Sequence, residues 1–220
     1  MMDVKQAINE RRSIRGFKKD RVPQETLRAV LELGVRAVSA VNAQPWEFFV
    51  VTGDVLERIQ QDNIRSYDRQ QPVDVPDITV GGIYLERSRE IGRALFSAMH
   101  IERGDRARRA EWRQRGFRFF DAPAAIILCM DQALDETAFR FDMGCVAQNI
   151  CVAAMEYGLG TCVENQAILY QETLRRNLGI PESKRIVCGI AIGYPDWDFP
   201  ANQVVSSRVP VDTVTQWSGF

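Results

Sequence analysis

The segment of residues 137–160, TAFRFDMGCVAQNICVAAMEYGLG, limits most strongly what this chain can fold into. As a helix it would be apolar around most of its circumference, and Gly158 and Gly160 suit a C-terminal cap. Such a helix is not stable in water by itself. It has to lie at the centre of a domain or between two subunits, and the rest of the chain must supply the elements that cover it.

Three near-continuous apolar runs predict strands that are covered on both faces. They span residues 46–52, 124–130 and 185–194. Helical spacing of apolar residues is present in residues 24–37, and a short helix is predicted before Gly179 and Pro181. The order of these elements predicts an α+β domain with few strands, and 220 residues are enough to give it a substantial core.

Composition argues against several classes of protein. The net charge of −1 gives no general attraction to nucleic acid or anionic membranes, so neither partner is expected. The first ten residues carry acids and no apolar run, which predicts a cytoplasmic protein without a secretory signal. Five scattered cysteines and a single histidine predict buried free thiols and no metal site. We therefore expect a cofactor to carry the chemistry.

A short basic motif, RRSIR, occupies residues 11–15. Its guanidinium groups offer forked donors and its serine offers a hydroxyl, which together suit a phosphate group. The motif by itself is also compatible with a solvated basic loop.

Five motifs in order resemble the FMN-dependent nitroreductase superfamily of the oxygen-insensitive type. They are RRSIRGF, NAQPWEFFVV, DMGCVAQN, GLGTC and SSRVP. The resemblance implies a nitroreductase-like fold, with a central, mostly antiparallel sheet flanked by helices, in an intertwined homodimer with FMN at the subunit interface. It also implies one domain over residues 1–220, a variable insertion or lid at about 60–118, and a C-terminal dimer-wrapping arm at 196–220.

The same resemblance assigns a phosphate site. In that family the RRSIR segment binds the FMN phosphate and the ribityl chain next to it. The matching residues are Arg11, Arg12, Ser13 and Arg15. Arg208 resembles a late basic residue that returns to the same phosphate, while Ser206 stands where the family often has a second cation.

The remaining implied contacts surround the flavin ring. Polar side chains that would reach the flavin of the other subunit are Ser39, Asn42 and Gln44. The backbone N–H groups of Glu164 and Asn165 would face the redox-active nitrogen and stabilise the negative charge of a reduced flavin. Arg118 would face the pyrimidine edge, with Arg115 as a second candidate.

The resemblance implies an enzyme that takes hydride from NADH or NADPH and reduces electron-poor acceptors such as nitroaromatics or quinones. Both substrates would use one pocket in turn, which gives ping-pong kinetics, and no side chain would be needed as a catalytic acid. Reductive dehalogenation and other flavin reactions of the superfamily are alternatives. An alternative of another class is a nucleic-acid-binding module built on an arginine-rich segment.

That segment, residues 86–118, contains ten arginines and five acids, a local excess of five positive charges (10 − 5). It either attracts anionic acceptors or the extra phosphate of NADPH, or it forms solvated helix faces paired with its own acids. The sequence leaves both possibilities open.

Overall fold

A computed structural model describes residues 2–76 and 78–220. The helices are α1 (Val4–Glu10), α2 (Gln24–Gly34), α3 (Gly53–Asp68), α4 (Gly82–Ala98), α5 (Arg106–Phe117), α6 (Glu136–Glu156) and α7 (Gln171–Leu178). The strands are β1 (Glu47–Thr52), β2 (Ala124–Asp131), β3 (Gly160–Glu164) and β4 (Lys184–Gly193). In this part of the chain no helix combines the length and apolarity needed to cross a bilayer.

The four strands form one antiparallel sheet in the order β1-β2-β4-β3. Side chains alternate along β2, so Ile127 faces a cluster with α3 and α7, while Ile126 faces a cluster with α2 and α6. Both isoleucines are fully buried, as expected for strands covered on two sides. The α+β class with a central antiparallel sheet is confirmed.

Strand β3 corrects the sequence interpretation of GLGTC as a helix terminus alone. Helix α6 ends at Glu156, and the chain turns at Gly158 and pairs with β4, with Thr161 opposite Ile192. A five-residue strand that begins at a glycine carries little local signal, because its register comes from the partner strand. Gly160 is required by packing, since a Cβ there would lie 2.4 Å from Ile14.

Helix α6 is buried on one side and open on the other. Asp142 is buried and accepts a hydrogen bond from the backbone N–H of Ala40 at 3.0 Å, which anchors the helix to the loop before β1. Phe141, Gly144 and Gln148 form an exposed stripe at helical spacing, and Phe141 is 72% exposed. One chain therefore covers only part of this apolar helix.

Candidate functional site

Residues 11–15, which we call the cation segment, lie along the free edge of the sheet. Ser13 forms a parallel bridge with Thr161 of β3, and the N–H of Ile14 donates to the carbonyl of Thr161 at 2.9 Å. Ile14 is buried, and the flanking arginines are half-buried. The segment is thus a fixed part of the sheet edge and not a solvated loop.

The side chain of Asn202 fixes the end of the cation segment. Its Oδ1 accepts from the N–H groups of Arg15 at 2.7 Å and Gly16 at 3.2 Å. Its Nδ2 donates to the carbonyls of Gly16 and Asp196, both at 2.7 Å. Because Asn202 is fully buried and its amide is satisfied on both sides, it holds the Arg15 backbone in one position.

The guanidinium groups of the cation segment lack a counter-charge. Among the described residues, no carboxylate lies within 4.0 Å of Arg11, Arg12 or Arg15. Arg12 lies over the ring of Trp197, and a cavity of about 520 Å³ borders Arg11, Arg12 and Trp197. Two cations, Arg11 and Arg12, thus line the cavity, which Glu10 also borders, and Arg15 follows them in the same segment. Arginines beside open space make this a candidate anion-binding site.

Glu164 ends β3 next to this site. It is buried, and neither of its carboxyl oxygens has a hydrogen-bond partner within the described chain. Burial raises the pKa of Glu164 well above its ordinary value, and the nearby charge of Arg15 offsets only part of that rise. Asn165 follows it and borders a second cavity of about 750 Å³, which Trp112 and Arg113 also line.

The loop with Ser39, Asn42 and Gln44 lies at the other end of α6. Its conformation is held internally, since the Gln44 N–H donates to Ser39 Oγ at 3.1 Å and Gln44 Nε2 donates to the Asn42 carbonyl at 3.2 Å. Asn42 and Gln44 have positive φ angles of 58° and 48°, which non-glycine residues seldom adopt.

Helix α6 also gives the distance between this loop and the cation segment. Asp142 binds the loop, and Cys151, nine residues later, lines the cavity beside Arg11. Nine residues of α-helix correspond to about 13 Å. Within one chain, the predicted loop residues are therefore well separated from the predicted phosphate residues.

Arg115, the second candidate of the sequence analysis, contacts the cation segment directly. Its Nη2 donates to the Arg15 carbonyl at 3.0 Å and its Nη1 binds Asp121 at 2.8 Å. Its guanidinium also lies over the ring of Phe199 at 4.7 Å. Arg118 instead binds Asp121 at 2.7 Å and Glu111 at 2.9 Å. The predicted contact of Arg118 with a flavin stays a prediction.

Arg208 is exposed, and its Nη1 donates to oxygens of Ser206 and Ser207 at 2.7–3.2 Å. Ser207 Oγ donates to Glu90 at 3.4 Å, so this stretch of the arm lies beside α4. The described hydrogen bonds of Arg208 do not include the cation segment.

Sequence reasoning missed the residues that position this site. They are Asn202, Phe199 and Phe120. Arg115 was a second candidate for the flavin edge, but its contact with the Arg15 carbonyl was not foreseen. Asn202 and Phe199 follow β4 in a region without periodicity, and only the contact across the fold gives them a role. A Cβ on Gly16 would lie 2.2 Å from Phe199, so close packing explains why a glycine stands there. From the sequence alone, however, the glycine does not reveal that Phe199 is its neighbour.

A model of the Nitroreductase family matches residues 8–194. The chain belongs to the nitroreductase family. It is 33% identical over 214 residues to a nitrobenzene nitroreductase of Ectopseudomonas oleovorans, covering 94% of this chain and 93% of that one. The sequence prediction of a nitroreductase is thereby confirmed.

Solved nitroreductases share the fold. The FMN- and NADPH-dependent nitroreductase NfnB from Sphigopyxis sp. strain HMH superposes with a TM-score of 0.93 at 28% identity, covering 100% of both chains. The FMN-dependent NfnB from Mycobacterium smegmatis, in complex with NADPH, has a TM-score of 0.91 at 30% identity, covering 98% of this chain and 100% of that one. The predicted nitroreductase-like fold is confirmed.

Proposed function

We propose that this protein is a homodimeric, FMN-dependent nitroreductase that oxidises NADH or NADPH and reduces nitroaromatic compounds or quinones. The observation that carries the proposal is the cation segment. Among the described residues, Arg11, Arg12 and Arg15 have no carboxylate within 4.0 Å, and they lie at a fixed sheet edge in a chain of the nitroreductase family.

The residues present fit FMN. A phosphate monoester would take the donors of Arg11, Ser13 and Arg15, and Arg12 would border the ribityl chain. The unpartnered carboxyl group of Glu164 and the cavity beside Asn165 lie next to that phosphate site, where a polar ring edge would supply the missing partners. Bound FMN supplies the hydride-transfer chemistry.

The chain's own part of the mechanism is binding and electrostatics. The cation segment fixes the phosphate, and the backbone N–H groups of Glu164 and Asn165 stabilise negative charge at the ring. Arg115 pairs with Asp121 and donates to the Arg15 carbonyl, which holds the backbone of the cation segment in place. His100 is exposed in the loop after α4. Among the described residues, therefore, no histidine borders Arg15. Donor and acceptor use one place in turn, which gives ping-pong kinetics.

A second copy of the chain would complete the site. The loop bearing Ser39, Asn42 and Gln44 carries Val41, which is 94% exposed, and it lies next to the exposed stripe of α6. In a two-fold dimer built on that stripe, each loop reaches the partner's site while remaining distant from its own. The apolar residues of the arm, Trp217 (63% exposed) and Phe220, then have a subunit to pack on.

One anaerobic experiment tests this proposal. Purified protein, saturated with FMN and freed of excess, is bleached with NADPH, desalted, and mixed with nitrobenzene. We expect yellow colour and 450 nm absorbance before the reductant, bleaching with it, and full recovery after nitrobenzene. In steady-state kinetics, double-reciprocal plots of rate against NADPH at several nitrobenzene concentrations should be parallel, which would support the ping-pong order. A colourless protein that binds no FMN and shifts labelled DNA would contradict the proposal and favour the nucleic-acid-binding alternative.

A further inference from the structure

Helices α4 and α5 and the loop between them line an open basic cavity of about 810 Å³, which we call the arginine cavity. Its basic lining residues are Arg89, Arg93, Arg103 and Arg109. Glu102 is the acid that lines it, and in the described chain none of the four guanidinium groups has a carboxylate within 4.0 Å. Four cations against one acid leave an excess of three positive charges around one cavity (4 − 1).

Other arginines of residues 86–118 are already engaged by the protein. Arg115 and Arg118 form ion pairs, and Arg108 donates to the carbonyls at the end of α4. Arg87 and Arg113 lie over tyrosine rings. Among the described residues, the four arginines that line the cavity are not paired with the insertion's acids, although Arg89, Arg93 and Arg103 are exposed, as the solvated-face alternative expects. Of the four, Arg109 is held by its contact with the Phe96 ring.

The arginine cavity adjoins the cavity beside Asn165. Phe96 and Arg109 line both, and the Arg109 guanidinium lies 4.2 Å from the centre of the Phe96 ring. Stacking orients a guanidinium while leaving its N–H edge available. The two cavities therefore adjoin at Phe96 and Arg109.

The extent of the two cavities favours a long ligand. Arg113, in the cavity beside Asn165, lies one turn of α5 from Arg109, about 6 Å. Arg89, Arg93 and Arg103 line only the arginine cavity. A nitrobenzoate beside Asn165 meets Arg109 and Arg113 in the same cavity, whereas a dinucleotide with a phosphate on its far ribose has groups to place in both cavities.

We propose that the arginine cavity binds the 2′-phosphate of NADPH, so that this protein selects NADPH over NADH. The placement of the nicotinamide in the cavity beside Asn165 rests on the proposed function. A phosphate dianion matches several converging guanidinium forks, whereas the 2′-hydroxyl of NADH offers no charge to them.

The test uses the double variant Arg89→Ala/Arg93→Ala in the FMN-loaded protein. Arg87→Ala/Arg106→Ala is the matched control, because it removes two charges from the same helices outside the cavity. We expect the first variant to lower kcat/KM for NADPH by about tenfold or more, with kcat/KM for NADH and FMN content unchanged. The control should retain the NADPH preference.

A binding measurement separates this inference from the proposed function. Calorimetry with 2′,5′-ADP, and with 5′-AMP as the ligand lacking the 2′-phosphate, needs no turnover. Wild type should bind 2′,5′-ADP more tightly, and the double variant should lose that difference. Three results would overturn the inference while the nitroreductase activity stands. The wild type could bind 2′,5′-ADP and 5′-AMP equally tightly, or the double variant could lose kcat/KM equally for NADPH and NADH. The third result is a double variant whose only change is in its activity with 4-nitrobenzoate. If the wild type shows no activity with NADPH or NADH, yet the double variant loses the preference for 2′,5′-ADP, the phosphate site in the arginine cavity would be supported and the proposed function contradicted.

Discussion

The side chain of Asn202 accepts a hydrogen bond from the backbone N–H of Arg15 at 2.7 Å, although 187 positions separate them in the chain. Asn202 lies beyond the family match, which ends at residue 194. The C-terminal region therefore positions the N-terminal cations. Arg115 holds the carbonyl of the same residue, so Arg15 is fixed on both sides of its backbone.

Replacing Asn202 should weaken FMN binding through Arg15. Asn202→Ala leaves the N–H groups of Arg15 and Gly16 without an acceptor, at a cost of about 1–3 kcal/mol for each group that stays dry, while the carbonyls of Gly16 and Asp196 keep their backbone donors. We expect a lower free energy of unfolding in urea and a larger loss of affinity for FMN than for riboflavin, which lacks the phosphate. Asp198→Asn, exposed in the turn just before the same short helix and outside the cavity beside Arg11, is the control. Equal losses for both flavins would make Asn202 a purely structural residue.

The double variant Arg11→Ala/Arg15→Ala should release FMN. Each charge-assisted hydrogen bond contributes roughly 1.5–3 kcal/mol, so losing two weakens binding on the order of a hundredfold or more. Equilibrium dialysis of apo-protein with FMN and riboflavin measures the effect. Lys18→Ala/Arg21→Ala removes the same charge from exposed positions just after the segment and should change little. Full retention of FMN in the first variant would refute the phosphate assignment.

Glu164 should make the apo-protein less stable as pH rises. Its pKa is raised in the folded state by burial, so its contribution is fully present below the unfolded value of about 4.5 and is lost as pH rises through the folded pKa. Glu164→Gln removes this titration, and its stability relative to wild type should increase steadily from pH 5 upwards. Urea unfolding at several pH values measures the trend, with exposed Glu57→Gln as control. A constant difference between variant and wild type would show that the carboxyl group is ionised throughout.

Removing residues 205–220 should separate the subunits while leaving Asn202 in place. The arm beyond Val204 is largely exposed in one chain and includes Arg208, so its contacts in the proposed assembly are with cofactor and partner. Analytical ultracentrifugation should show dissociation, and absorbance should show reduced FMN content. Phe141→Glu, on the exposed stripe of α6, should dissociate the dimer with the arm intact. A truncated protein that remains an FMN-loaded dimer would contradict the wrapping role of the arm.

Gly16 and Gly92 form a matched pair for local packing. A Cβ at Gly16 would lie 2.2 Å from the Phe199 ring. Gly16→Ala should therefore destabilise the folded protein by about 1–3 kcal/mol and push Phe199 away from the end of the cation segment. Gly92, inside α4, has no atom within 4 Å of an added Cβ, so Gly92→Ala should stabilise by roughly 0.8–1 kcal/mol through helix propensity. Thermal unfolding distinguishes the two, and equal shifts would indicate that Phe199 moves aside freely.

The sequence by itself determined the elements that have a strong local signal. Residues 46–52, 124–130 and 185–194 predicted β1, β2 and β4 to within one or two residues, because continuous apolar runs have few other stable arrangements. The motif order determined the family, and the cation segment was identified because four donor residues within five positions are chemically distinctive.

The tertiary structure decided which residues meet. It placed β3 at the sheet edge, set the cation segment beside it, and brought Asn202 and Arg115 to the two sides of Arg15. It also left four arginines of α4, α5 and the loop between them around one cavity while pairing Arg115 and Arg118 with acids. Local patterns carry no information on such pairs, because hydrogen bonds and charge pairs between distant residues depend on how the helices pack on the sheet.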